Sequence, residues 1–116
     1  PYINADADKI TWVLNNFLTN AIRYAPTESV VTVIAQPSDG KVSISVADKG
    51  SGIDEAYLPQ LFDRYFQVPG RSDKKGSGIG LAICKEMIEA MGGEVWVKSK
   101  LGEGSEFGFE LPIVGQ

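Results

Sequence analysis

No histidine occurs among the 116 residues, and cysteine occurs once, as Cys84. The first absence removes every Ser-His-Asp or Cys-His nucleophile and every histidine-bearing metal site. The second forbids an internal disulfide and points to a reducing compartment. Basic residues are in deficit, 11 Lys+Arg against 15 Asp+Glu for a net charge of −4, which removes the basic face that a duplex nucleic-acid binder needs. Long hydrophobic runs are missing too: the longest cover a few residues, whereas a membrane-spanning helix needs about 20. With Pro1 in first place and no secretory leader in view, the expectation is one domain, residues 1–116, excised from a longer protein. At 43% hydrophobic and 22% charged, the chain carries enough apolar surface for one ordinary core.

Periodicity predicts the elements. Over residues 8–24, Ile10, Val13, Leu14, Phe17, Leu18, Ala21 and Ile22 recur at helical spacing as a buried stripe. Asp6 or Asp8 caps its start, and Pro26 stops it. Two β-branched runs, 29–36 and 41–48, flank the turn-rich Pro37-Ser38-Asp39-Gly40 and read as a hairpin. Val42, Ile44 and Val46 share one face of the second run, Ser43 and Ser45 the other. Short helical turns are expected around Pro59, a polar loop over 67–77, and a helix over 78–91 stopped by Gly92-Gly93. Residues 94–100 and 105–111 form a second hairpin, and Tyr2-Ile3-Asn4 the stub of a fifth strand. The expected fold is an α+β two-layer sandwich: a mixed, mostly antiparallel sheet of about five strands, covered on one face by about three helices.

Chemistry concentrates in three places. Six of the 13 glycines, Gly50, Gly52, Gly70, Gly76, Gly78 and Gly80, fall between residues 50 and 80, and backbone without Cβ can approach a phosphate closely. Glycine is also an ordinary loop residue, so the cluster alone does not decide between the two uses. Neither familiar phosphate motif is present: no Gly-Lys-Ser/Thr occurs, and Leu81 stands where Gly-x-Gly-x-x-Gly would need glycine. Asp48 has the parity of the core-facing valines, so it either accepts from a ligand amino group or caps the loop that follows. Asn16 and Asn20, one turn apart beside the apolar stripe, form a ridge that Arg23 and Tyr24 continue; it offers amide oxygens to a hard cation, a positive charge to phosphates and a ring to a base. Phe62 and Phe66 read as core aromatics, Phe66 at the loop border. Arg64, Arg71, Lys74 and Lys75 make a basic stretch that is either solvated or a lid over phosphates. Cys84, Met87 and Met91 read as core.

In order along the chain, NNFLTNAIRYAP resembles an N box, DKGSGI a first glycine box, LFDRYF an F box, and GSGIGLAI a second glycine box. GEGSEFGFELP resembles the final hairpin, with Ser105 where Thr is commoner. Together they resemble the ATP-binding catalytic domain of bacterial sensor histidine kinases, within the fold shared by gyrase, heat-shock-90 and mismatch-repair ATPases. The resemblance implies ATP and Mg²⁺ as cofactors. It implies that Asn20 ligates the metal and that Asn16 supports it, with Arg64 in the catalytic set. Nucleotide contacts would come from Asn20, Arg23, Tyr24, Asp48 (to the adenine amino group), Gly50, Gly52, Ile53 and Phe66. Lys75, Gly76, Ser77, Gly78, Ile79, Gly80 and Leu81 would line the phosphate side. Residues 67–77 would be the ATP lid; relatives often carry Arg at the position of Gln67, which leaves the lid's phosphate contacts open among Arg64, Arg71, Lys74 and Lys75.

Hydrolysing relatives place a glutamate general base four residues before the magnesium asparagine. That position here is Asn16, which takes no proton at neutral pH, so the site suits presentation of the γ-phosphate rather than hydrolysis. The implied partners are upstream dimerisation helices carrying the acceptor histidine and a response-regulator receiver domain, with no nucleic acid. The expected setting is cytoplasmic, or the cytoplasmic portion of an inner-membrane sensor, as a homodimer when full-length and a monomer as this fragment. Two alternatives stand beside this reading, an anti-sigma-type serine kinase and a nucleotide-binding pseudokinase; the F box and GSGIGLAI favour the histidine kinase.

Overall fold

The computed structural model describes residues 2–3, 5–69 and 79–114. Helix α1 spans Ala7–Tyr24, and the cap is Asp6, whose carboxylate accepts the N–H groups of Asp8 (3.0 Å) and Lys9 (3.2 Å). Its buried row is Val13, Phe17 and Ala21, flanked by half-buried Ile10, Leu14 and Leu18. Ile22, expected in the same stripe, is 68% exposed. Each i+4 step advances about 40° around a helix, so the row Ile10–Leu14–Leu18 has rotated off the core by Ile22.

The sheet has five strands: β1 (Tyr2–Ile3), β2 (Thr32–Ser38), β3 (Lys41–Asp48), β4 (Glu94–Lys100) and β5 (Gly104–Val114). β5 is central. β3 lies along one side of it with β2 beyond, while β4 and then β1 line the other side. The sheet is antiparallel, as the mostly antiparallel expectation has it, with no parallel pair among the described residues. The β2–β3 and β4–β5 pairs are hairpins, and the β3–β5 pair closes antiparallel between them.

The first hairpin turns on two residues, Asp39 (φ 47°) and Gly40 (φ 78°), rather than on all of PSDG. Positive φ at both centres is the geometry that matches strand twist, and Asp-Gly supplies it. β2 accordingly starts and ends later than 29–36. It includes Pro37, which β2 tolerates because, among the described residues, it pairs with β3 alone and forms an edge of the sheet. β5 likewise runs through Pro112. Ile113 donates to Gly40 O on the β3 side, so by alternation Pro112's missing N–H faces the gap between β4 and β1.

Helix α2 (Gly80–Ala90) ends in a Schellman motif: Gly92, at φ 84°, donates to Glu89 O and Gly93 donates to Ile88 O, each at 3.0 Å. A 3₁₀ helix, Glu55–Gln60, surrounds Pro59 and starts at Asp54, whose side chain accepts the Ala56 N–H. The helices cover one face of the sheet. Rows Val46–Phe107–Val97 and Ile44–Phe109–Val95 run across β3, β5 and β4 beneath them, and the Phe17 ring sits 5.8 Å from Phe107 and 6.4 Å from Phe109. On the other face Trp96 lies over Gly108 and Ser45, burying a serine that its alternation marks as outward; its hydroxyl pairs with Glu106 at 2.6 Å. No helix among the described residues is long and apolar enough to cross a membrane.

Candidate functional site

The next row of the same sheet face is Asp48–Ser105–Ser99, where valines and phenylalanines give way to oxygen. Asp48 ends β3 at 8% exposure, and its Oδ1 accepts the Gly50 N–H at 2.7 Å. The carboxylate faces the core, as its parity predicts, and it caps the loop, the second of the two sequence readings of Asp48. A carboxylate has about four acceptor positions, so one backbone N–H leaves capacity for a ligand donor. Ser99 Oγ is the hub at the other end of the row. It accepts the Ile53 N–H (2.8 Å), donates to Gly104 O (2.9 Å), and lies 2.8 Å from Ser105 Oγ. Ser99's role went unread in the sequence, because only cross-strand register brings it into Asp48's row, with Ser105 between them. Its signal is parity alone: Val95, Val97 and Ser99 point one way.

The glycines of this loop face protein, not open space. A Cβ on Gly50 would strike the Tyr24 carbonyl at the end of α1, and one on Gly52, already at φ 73°, would strike the Lys100 carbonyl. Their function in the fold is therefore close approach, seating residues 49–53 between α1 and the β4–β5 turn, where Gly102 N–H also donates to Ser51 O at 2.8 Å. Ile53, expected at the nucleotide, is 1% exposed and packs in the core.

On α1, Asn16, Asn20 and Tyr24 are half-buried and Arg23 is exposed, all beside the buried row as their spacing requires. Asn16 Oδ1 reaches the first residue of α2: it lies 2.6 Å from where a Gly80 Cβ would stand. The N-cap of α2, Ile79, makes no side-chain cap bond. The first-turn N–H groups of α2 and the asparagine ridge of α1 are consequently neighbours, and such a helix start favours an anion. Leu81 follows, half-buried against the core. Among the described residues no three His, Cys, Asp or Glu side chains gather as a metal site, so the oxygen donors at this ridge are amides. Amide oxygens suit a hard cation that keeps waters and takes phosphate oxygens as further ligands, which is how the ridge fits Mg²⁺.

Two expected contacts are not brought together. Arg64 pairs with Glu86 of α2 at 2.6 Å on the half-exposed surface. Glu86 is six residues beyond Gly80, about 9 Å along the helix, so Arg64 stands away from the α2 start. Phe66 packs its ring 6.1 Å from Tyr57, and Phe62 packs edge-on 6.3 Å from Phe107, as core aromatics. Cys84 is buried as expected, and burial pushes its thiol up to about 12. Lys75, Gly76, Ser77 and Gly78, with Gly70, Arg71 and Lys74, lie outside the described residues.

Residues 5–115 match the family described as histidine kinase-, DNA gyrase B-, and HSP90-like ATPase. The chain is 40% identical to the adaptive-response sensory kinase SasA of Synechococcus elongatus over 114 residues, 97% of this chain and 30% of that protein. It therefore spans about three tenths of that curated relative. Among solved structures it superposes on the mycobacterial sensor histidine kinase MprB with a TM-score of 0.87 at 26% identity, covering 95% of this chain and 76% of that one. It also superposes on full-length ShkA in complex with AMPPNP with a TM-score of 0.84 at 36% identity, covering 98% of this chain and 23% of that one.

Proposed function

This chain belongs to the histidine kinase-, DNA gyrase B- and HSP90-like ATPase family, and on that premise we propose that it is the catalytic domain of a two-component sensor histidine kinase. It binds MgATP and presents the γ-phosphate to a histidine on a separate helical dimerisation domain, which passes it to an aspartate on a response regulator. The observation that carries the reading is the meeting of α1's asparagine ridge with the start of α2, where Ile79 makes no side-chain cap bond. A solved relative bound to AMPPNP supports the nucleotide.

Asp48 accepts the exocyclic amino group of adenine, its orientation set by the Gly50 N–H. Tyr24 packs beside the base and Arg23 reaches phosphate. The N–H groups of Gly80 and Leu81 face the phosphate oxygens. Asn20, supported by Asn16, would hold the metal, whose chemistry when bound would be to spread the negative charge of the phosphates. Asn16 accepts no proton at neutral pH, so water is not activated and the phosphoryl group awaits its acceptor. The full-length protein would work as a cytoplasmic homodimer and this chain as a monomer.

Calorimetry with AMPPNP and Mg²⁺ tests the reading. Binding in the micromolar to millimolar range is expected, with loss in Asn20→Ala and in Asp48→Ala. Absence of binding heat in the wild-type chain overturns it.

A further inference from the structure

Ser99 and Ser105 are partners across β4 and β5, and between them they hold two hydroxyl protons. Their neighbours dictate where each proton goes. Ser99 Oγ accepts the Ile53 N–H at 2.8 Å and lies 2.9 Å from Gly104 O. A carbonyl oxygen only accepts, so the single Ser99 proton is committed to Gly104. Gly104 is itself held in place, at φ 96° with the Asp48 carbonyl packed where a Cβ would stand. The 2.8 Å contact between the two hydroxyls is then left with one donor, Ser105. Both protons are used inside the protein, and Ser105 Oγ keeps only lone pairs.

The direction of that second proton matters because of what stands on the other side. Across β3 and β5 the partner of Ser105 is Asp48. A hydroxyl beside a carboxylate ordinarily donates to it, since charge-assisted hydrogen bonds are about twice as strong as neutral ones. Among the described residues no hydrogen bond joins Ser105 to Asp48, whose Oδ1 takes the Gly50 N–H. Ser99 holds the proton on the far side of the row.

We infer that Ser99 is a positioning residue for base selection: by drawing the Ser105 proton away from Asp48, it leaves two adjacent acceptors and no hydroxyl donor at the adenine end of the site. A 6-aminopurine brings two N–H donors to such a pair, directly or through one water. A 6-oxopurine brings lone pairs to lone pairs and is rejected by repulsion as well as by the missing bond. The inference deepens the MgATP reading and rests on it for the ligand, whereas the proton order follows from the fold alone. Without the Ser99 hydroxyl, the Ser105 proton is free to turn to the carboxylate or to a 6-oxo group, and either turn weakens the preference.

Affinities for MgATP by calorimetry, and for MgITP by competition against it, test the inference, because the two nucleotides differ at purine position 6. The wild-type chain is expected to prefer ATP. Ser99→Ala is expected to lower the ATP-to-ITP affinity ratio by about threefold to tenfold, the worth of one hydrogen bond. Ser99→Thr, which keeps the hydroxyl, is expected to hold the wild-type ratio. Equal losses of ATP and ITP affinity in Ser99→Ala make the residue merely structural and overturn the inference, as does a Thr variant no more selective than the Ala variant. In a Ser105→Ala background the Ser99→Ala change is expected to leave the ratio unmoved; an undiminished effect there shows that it does not pass through Ser105 and overturns the inference too. Should Ser99→Ala fail to fold, Ser105→Ala decides, since it leaves both backbone bonds of Ser99 intact: a lowered ratio is expected, and an unchanged one overturns the inference. A wild-type chain that binds neither nucleotide sinks the MgATP reading and the base selection with it, whereas ATP binding with an unmoved ratio sinks the base selection alone.

Discussion

At the scale of single residues, the buried polar and reactive groups make the sharpest statements. Asn16 stands where hydrolysing relatives carry a base, and Asn16→Glu supplies one that can take a proton from water. Slow ATP turnover, read by phosphate release, should rise in that variant; an unchanged rate removes the general-base argument. The glutamate is one methylene longer and must turn away from Gly80, so some loss of stability accompanies the gain.

Cys84 is fully buried, and its thiol is raised from 9.0 to about 12 by desolvation. Below pH 9 the thiol is neutral in both folded and unfolded chains, and its burial is not penalised. As pH rises above 9 the unfolded chain loses the proton first, so stability falls through the window from 9 to about 12. The free energy of unfolding from denaturant titrations should drop more steeply there than in Cys84→Ala, by up to about 4 kcal/mol at the upper end. The burial of Cys84 was legible from its place on an apolar helix. The double use of Asp48 was not, because one carboxylate serving loop and ligand depends on which N–H the turn aims at it.

At the scale of elements, helices and hairpins were legible where local chemistry suffices and shifted where an edge decides. α1 begins at Asp6 and stops before Pro26 as its caps require. β2 slid by two or three residues because the turn narrowed to Asp39-Gly40, and only an unpaired edge explains Pro37 inside a strand. Two glycines separate conformation from contact. Gly40 has φ 78° and open space around its missing Cβ, so Gly40→Ala should cost only the left-handed penalty, about 1–2 kcal/mol. Gly52 has φ 73° and the Lys100 carbonyl against it, so Gly52→Ala should cost more and weaken nucleotide binding as the loop shifts off the β4–β5 turn. Urea denaturation and calorimetry distinguish the two; equal costs would mean that the backbone contact is immaterial.

At the scale of the whole molecule, the missing histidine becomes a functional statement. On the proposed function, a chain without histidine holds a donor and no acceptor of that type. Incubated with labelled ATP and Mg²⁺, this chain alone should retain no acid-labile phosphohistidine, and label should appear on a separately supplied acceptor domain. Label on this chain, or none on any acceptor, contradicts the proposed transfer. The sequence by itself determined the composition limits, the helical and strand periods, the ordered motifs and the absence of a base at Asn16. These are properties of residue type and spacing, which local geometry translates directly into structure. Tertiary structure alone decided what each residue meets. It set Ser99 and Asp48 in one row across Ser105 by strand register, carried Arg64 to Glu86, and made Gly50 and Gly52 points of close approach between distant segments. Glycine announces that a space is needed, and only packing between distant segments says what fills it.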